Sequence, residues 1–507
     1  MATIKRWTKT DLKWLMGVLL SFAALAALTH SLAAGLAFPF EQLSRWTPAA
    51  LTACLILIFC ALTFLLLRGT QFLAKTKVTK QQAAQALLLL ILALLVRLPL
   101  MSTAGYADDV RVYELWSWKA AAKGIHSLYQ GDSRVISANP QSVVSDNHPG
   151  CLFPFKLIGH LHASLTQSDL SFPHRTSLLH RFLLRFPAAL ADLFLAVLLY
   201  SFVRKRADHR IGITWMAALA FNPTLLFDSA LYGQTDALHT LWIIVGLLLL
   251  HEKKLAASGV ALGFALLTKP QTYILAPLFA VVAWRQRPKQ GLMRAGTGVL
   301  TGIALMSAPF ILFGTLGTLW NYLLSIMRVH PQVSLNANNF WWLATWGEAS
   351  AIADLNPVPL FAAIGIPISY RHVGLLLLAA IHIPIWQRVK TNHALFSWAA
   401  LSSVVFFSFA TQMHENYLYM AIPLLAFATA QDKRLRSLYG ILSALFVVNM
   451  ALHYPAFVQL LVPENPDIFR GPQLFWPRLL TAATITASCV WFYWLAIAKG
   501  FPGAKKG

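Results

Sequence analysis

Long apolar runs separated by short polar stretches cut up the whole sequence, and this segmentation constrains the fold more than any other feature of the 507 residues. A helix needs roughly 20 apolar residues to cross about 30 Å of hydrocarbon, where a backbone must satisfy its own hydrogen bonds. Runs of this kind occupy 15–38, 48–67, 83–101, 182–203, 211–227, 238–251, 292–313, 373–386, 394–410, 418–430, 438–453 and 479–498. The stretch 255–284 is also apolar but is interrupted by Lys269-Pro270. It reads as two short helices that dip in and return, with the break near the membrane surface. The expected architecture is an all-α polytopic membrane protein of about 12–14 transmembrane helices. Only 12% of the residues are charged, about half the share in a soluble protein.

The charges set the path of the chain. Arg68, Lys75, Lys77 and Lys80 follow one run; Arg204, Lys205, Arg206 and Arg210 follow another. Lys253 and Lys254, then Arg285, Arg287, Lys289 and Arg294, then Arg388 and Lys390, then Lys433, Arg434 and Arg436, and last Lys499, Lys505 and Lys506 continue the series. Every second loop is basic and the short loops between are nearly free of Lys and Arg, which assigns the basic loops to the cytoplasm. The net charge of +22 is therefore a topology signal, and nucleic acid is not an expected partner. Basic residues precede the first run, and it reads as a retained helix because so many spans follow. Cys54, Cys60 and Cys489 lie inside apolar runs and Cys151 in a loop, so neither a disulfide framework nor metal spacing is present.

Two non-cytoplasmic loops are long, 102–180 and 314–371. In the first, Val112, Leu115, Trp116 and Ala120 fall at helical spacing after Asp108-Asp109, which predicts a helix over 109–123 lying flat at the interface. In the second, Trp320, Trp341, Trp342 and Trp346 stand among Asn336, Asn338 and Asn339, which predicts an interfacial or re-entrant piece.

Threaded in this way, Asp108, Asp109, Gln234, Asp236, Lys269, Arg328, His414 and Glu415 all emerge on the non-cytoplasmic face. Each has an ordinary explanation: a helix start for the aspartates, a polar turn for Tyr232-Gly233-Gln234-Thr235-Asp236, snorkelling for Lys269. Their convergence on one side predicts one site. A carboxylate in a partly dry cleft can take a proton from an attacking hydroxyl. Lys269, Arg328 and His414 can hold a phosphate that gains charge as it leaves. No nucleotide-cradling glycine motif is present, so the anionic group expected is lipid-linked.

Asp109 with Trp116 seven positions later, His126-Ser127-Leu128-Tyr129, Asn147-His148-Pro149-Gly150, Gly233-Gln234-Thr235-Asp236, Lys269-Pro270-Gln271-Thr272-Tyr273, Arg328-Val329-His330-Pro331, Asn339-Phe340-Trp341 and His414-Glu415 follow one another along the chain. In this order they carry a resemblance to the multi-spanning GT-C glycosyltransferases, and among these most of all to the polyprenyl-phosphate-sugar-dependent glucosyltransferases of the N-glycan pathway and the bacterial mannosyltransferase-like proteins. It implies a GT-C core over 83–453, preceded by two added spans (1–82) and followed by a loop, a last helix and a cytoplasmic tail (454–507). It also implies an inverting hexose transfer from a polyprenyl- or dolichyl-phosphate carrier to a glycan, lipid-linked or protein acceptor. Asp109 would be the base, with Lys269, Arg328 and His414 near the donor phosphate. Asp108, His148, Gln234, Asp236, Asn339 and Glu415 complete the expected substrate-binding set. The enzyme would sit in a bacterial inner membrane facing the periplasm, or in the endoplasmic reticulum facing the lumen. Asp108-Asp109 can ligate a divalent metal, but one acidic pair is thin support and no cofactor is expected. The rival expectation is a transporter or flippase of a lipid-linked anion, which would keep ionisable residues near mid-membrane in repeated halves.

Overall fold

The computed structural model describes residues 78–130, 144–166, 178–326, 329–389, 394–455, 457–458 and 474–501. The two spans expected before residue 78, and Arg328, lie outside the described residues. With the exception of Ala163–Thr166, what is described belongs to one compact unit. The protein is all-α: among the described residues the only β pairing is three isolated bridges.

Five described helices are long and apolar enough to cross a membrane: Lys80–Met101, Leu178–Arg204, His209–Tyr232, Gln290–Leu312 and Phe475–Lys499. The helices needed below are α1 (Lys80–Met101), α2 (Ala107–Lys123), α3 (Pro149–Thr166), α4 (Leu178–Arg204), α5 (His209–Ala220), α6 (Asp236–His251), α7 (Leu255–Leu266), α8 (Ala276–Gln286) and α9 (Gln290–Leu312). They are followed by α10 (Leu316–Ser325), α11 (Phe340–Ala344), α12 (Pro359–Ala362), α13 (Tyr370–Arg388), α14 (Leu395–Phe409), α15 (Ala421–Thr429), α16 (Arg436–Ala451) and α17 (Phe475–Trp494).

A helix is present where one was expected after Asp108, as α2. The interrupted stretch is α7, a 3-10 turn over Pro270–Leu275, and α8, with Lys269 at the break. Two helices differ from expectation. The first long loop also contains α3 and the second contains α10. Lys156, His160 and His162 dilute the hydrophobicity of α3, and α10 is only ten residues long, so neither passes an apolar-run criterion.

Packing between α7 and α9 rests on small residues. Gly259 and Gly263 of α7 face Gly298 and Gly302 of α9, a four-residue spacing on each helix that lets two backbones touch. A Cβ on Gly259 would strike the carbonyl of Ala295, and one on Gly298 the carbonyl of Ala256. Both obstacles are backbone, so neither can swing aside. Gly298→Val is therefore expected to cost about 1–3 kcal/mol or more through overpacking. Gly296→Val, at a position open to 4 Å, serves as its control. The check is the yield of monodisperse protein in detergent; equal yields would show that the seam tolerates separation.

A buried ion pair ties α1 to α4. The Arg97 guanidinium lies 3.5 Å from Asp192 and donates to the carbonyl of Ala220 at 2.8 Å. Ser229 and Tyr419 both donate to the Asp192 carboxylate, so each of its oxygens is satisfied. Arg185 of α4 reaches up to the carbonyls of Leu100 (3.2 Å) and Met101 (2.9 Å), which holds the exit of α1 where α2 begins.

Candidate functional site

The site is assembled from loops at one end of these helices, and each loop is fixed by the backbone of another. Tyr106, the residue before α2, donates its N–H to the carbonyl of Tyr232 at 3.0 Å, and their rings stack at 4.8 Å. Gly105 (φ 72°) and Gly233 (φ 99°) make these turns in the left-handed region, and a side chain at Gly105 would also strike Arg185. The chain enters Tyr232 through a π-helical turn over Leu226–Tyr232, a local widening that places Gln234 under α2.

The outcome is a three-residue relay. Tyr113 donates to Gln234 Oε1 at 3.1 Å, which orients the amide so that Gln234 Nε2 donates to Asp109 Oδ2 at 2.6 Å. Asp109 keeps part of its surface open. Burial raises its pKa, and the charges of Glu415 and Asp146 raise it further. The Gln234 hydrogen bond and Lys269 oppose the rise, and the carboxyl settles at about 7. A general base is most effective with a pKa in this range. Asp108, its neighbour, is exposed and caps nothing.

The second layer is centred on Lys269. The helix α7 ends there, and Lys269 Nζ donates to Asp236 Oδ2 at 2.9 Å, with Asn416 Nδ2 on the same oxygen at 2.6 Å. Burial pushes the Lys269 pKa down, but Asp236, Cys151 and Asp228 together outweigh it and the ammonium is held charged. The start of α3 docks against this break. Gly150 donates to the carbonyl of Leu267 at 2.6 Å, where a Cβ would strike Thr268. His148 is buried between two phenols, 2.8 Å from Tyr273 Oη and 3.2 Å from Tyr322 Oη. Burial and Lys269 push its pKa to about 3, so it is neutral and serves as a fixed strut between α3 and α10.

The far wall comes from the second long loop and the segment after α14. Leu335 donates to the carbonyl of Met413 at 2.9 Å, and Gln412 turns the chain at φ 63°. Beyond it Glu415 accepts from Tyr232 Oη at 2.6 Å; burial raises its pKa against that bond. His414 packs edge-on against His330 at 4.9 Å, and His330 lies 3.8 Å from Asp146. Burial, His330 and Lys269 push the His414 pKa to about 3. The ring can donate or accept a hydrogen bond but is uncharged at neutral pH.

Asn339 is placed elsewhere. Its Oδ1 caps α11 by accepting from Trp341, and its Nδ2 donates to the carbonyl of Phe407 at 2.9 Å, so both ends of the amide are used by the scaffold. The residues brought together are thus Asp109, Gln234, Asp236, Lys269, His414 and Glu415, with His148 immediately behind. Sequence reasoning passed over Asp146, Tyr113, Asn416 and His330 as members. Asp146 precedes Asn147-His148 directly, and Asn416 follows Glu415, so adjacency to the motifs was the available signal. Tyr113 lies one turn beyond Asp109 on the same face of α2. Among the described residues no group of three or more His, Cys, Asp or Glu is arranged to hold a metal.

No protein-family model matches the chain. A search of curated proteins returns no significant match.

Proposed function

We propose that this chain is an inverting glycosyltransferase of the GT-C type. In this reading it moves a hexose from a polyprenyl-phosphate carrier to an acceptor hydroxyl at the non-cytoplasmic membrane face. The observation that carries the proposal is Asp109: a carboxylate with a pKa near 7, part of its surface open, oriented by the Tyr113–Gln234 relay and within the electrostatic reach of Lys269.

The acceptor hydroxyl loses its proton to Asp109 as its oxygen bonds to the anomeric carbon. The carbon–oxygen bond to phosphate breaks on the other face of the sugar, and the electron pair leaves with polyprenyl phosphate. Inversion follows from attack opposite the leaving group. Charge develops on the phosphate, so donors fixed beforehand stabilise the transition state more than the ground state. The Lys269 ammonium has two protons beyond the one given to Asp236, and neutral His414 adds a donor. Arg328, outside the described residues, enters this role only through the motif it belongs to.

The rival reading, transport of a lipid-linked anion, predicts a different product. Purified chain supplied with a polyprenyl-phosphate-linked hexose and a sugar-alcohol acceptor is expected to release polyprenyl phosphate in step with glycosylated acceptor. Intact donor appearing on the opposite face of a vesicle, with no phosphate lipid released, would replace the enzyme with a transporter.

A further inference from the structure

The segment between Asp354 and Arg371 is an apolar finger. Its sixteen residues, Leu355 to Tyr370, carry no charge. Its tip is bare: Leu360 is 73% exposed, Ile364 68% and Ile366 51%. A run of large apolar side chains offered to water on a loop is not stable without something to cover it.

Two features identify the cover. The first is the backbone. Phe361, Ala362, Ala363, Ile364, Gly365, Ile366 and Ile368 all donate their N–H to carbonyls of the finger itself, at 2.8–3.1 Å, and Pro367 has none to donate. Paired N–H groups lower the cost of leaving water, where each unsatisfied group costs several kcal/mol. The second is position. The finger folds back along α13: Ile366, Pro367 and Ile368 face Leu375 and Leu376 across an open apolar groove of about 520 Å³. Those leucines lie five and six residues into α13, about 8–9 Å from its start along the axis. They are 54% and 60% exposed, on a helix whose next turns expose Ile383 as well. The finger thus continues the exposed apolar surface of α13.

We infer that the finger is a membrane anchor, seated at the headgroup–acyl boundary of the leaflet on the side of the site. Its base is rigid. Arg371 pairs with both oxygens of buried Asp354 at 2.7 Å, and Thr411 and Gln412 donate to the same carboxylate. Thr411 and Gln412 lead directly into His414, so the depth of the finger sets the height of the far wall above the lipid.

The test places an environment-sensitive fluorophore on Leu360→Cys and Ile364→Cys, with exposed Glu348→Cys as the aqueous reference, in the full chain within lipid nanodiscs. Signal from the unsubstituted chain is subtracted. The anchor predicts several-fold weaker quenching by iodide at 360 and 364 than at 348, together with strong quenching by nitroxide-bearing lipids. Equal iodide quenching at all three sites would overturn it. So would shielding from iodide without quenching by nitroxide lipids, which would mean that protein covers the finger. No readout depends on catalysis, so the outcome is independent of the transfer proposed above.

Discussion

Asp109→Asn is expected to lower sugar transfer by about 10²–10⁴-fold, the range that a positioned general base supplies. Binding of the lipid-linked donor should survive, because the asparagine keeps the volume of the aspartate and its oxygen can still accept from Gln234. The pH profile is the second half of this result. The working form is the carboxylate, and its pKa is raised to about 7 by burial and by the charges of Glu415 and Asp146. Transfer should therefore be weak on the acid side, rise through about pH 7 and level above it. Gln234→Leu removes the hydrogen bond that favours the ionised form, so the inflection should move to higher pH. Initial rates of polyprenyl phosphate release across neutral pH give both measurements. Normal turnover by Asp109→Asn would sink the assignment of this residue as the base.

The second large effect is structural as much as chemical. Lys269→Met leaves the carboxylate of Asp236, 1% exposed, with Asn416 as its remaining partner. Removing one member of a buried pair costs about 3–5 kcal/mol, a large fraction of the 5–15 kcal/mol that typically separates folded from unfolded. Lys269→Met is thus expected to fold poorly. Adding Asp236→Asn removes the stranded charge while keeping an oxygen for Asn416, and should restore thermal stability in detergent. Transfer should not return with the fold, because the ammonium proposed to hold the donor phosphate is still missing. A stable single variant would show that water or another group compensates Asp236; an active double variant would remove Lys269 from the chemistry.

Periodicity and charge were enough to expect an all-α membrane protein, the break at Lys269-Pro270 and the helix over 109–123, because each depends on local composition. The meeting of Asp109 with Gln234 was expected only as a shared membrane face. Their hydrogen bond depends on Tyr106 docking on Tyr232 and on two glycines over Arg185, and no local pattern encodes that. The helix α3 carries Lys156, His160 and His162 among its apolar residues, so no unbroken apolar run signals it. The charge state of His414 could not be read from its motif either: it is set by burial and by His330, which lies far away in the chain. Asn339 shows the opposite case, a motif residue whose amide is wholly engaged in holding the backbone.

The tether between Tyr106 and Tyr232, with Arg185 bracing both turns, has a bearing on how a partner molecule enters. Asp109 on α2 and Gln234 in the turn after Tyr232 are thereby held as a single stiff body joined to the helical bundle. In the proposed transfer, adjustment to an incoming acceptor would be taken up by the opposing rim, 330–335 and 411–415, where Gln412 already sits in a backbone conformation that a side chain disfavours. Discrimination among acceptors would accordingly evolve on that rim, while the proton-accepting side stays unchanged.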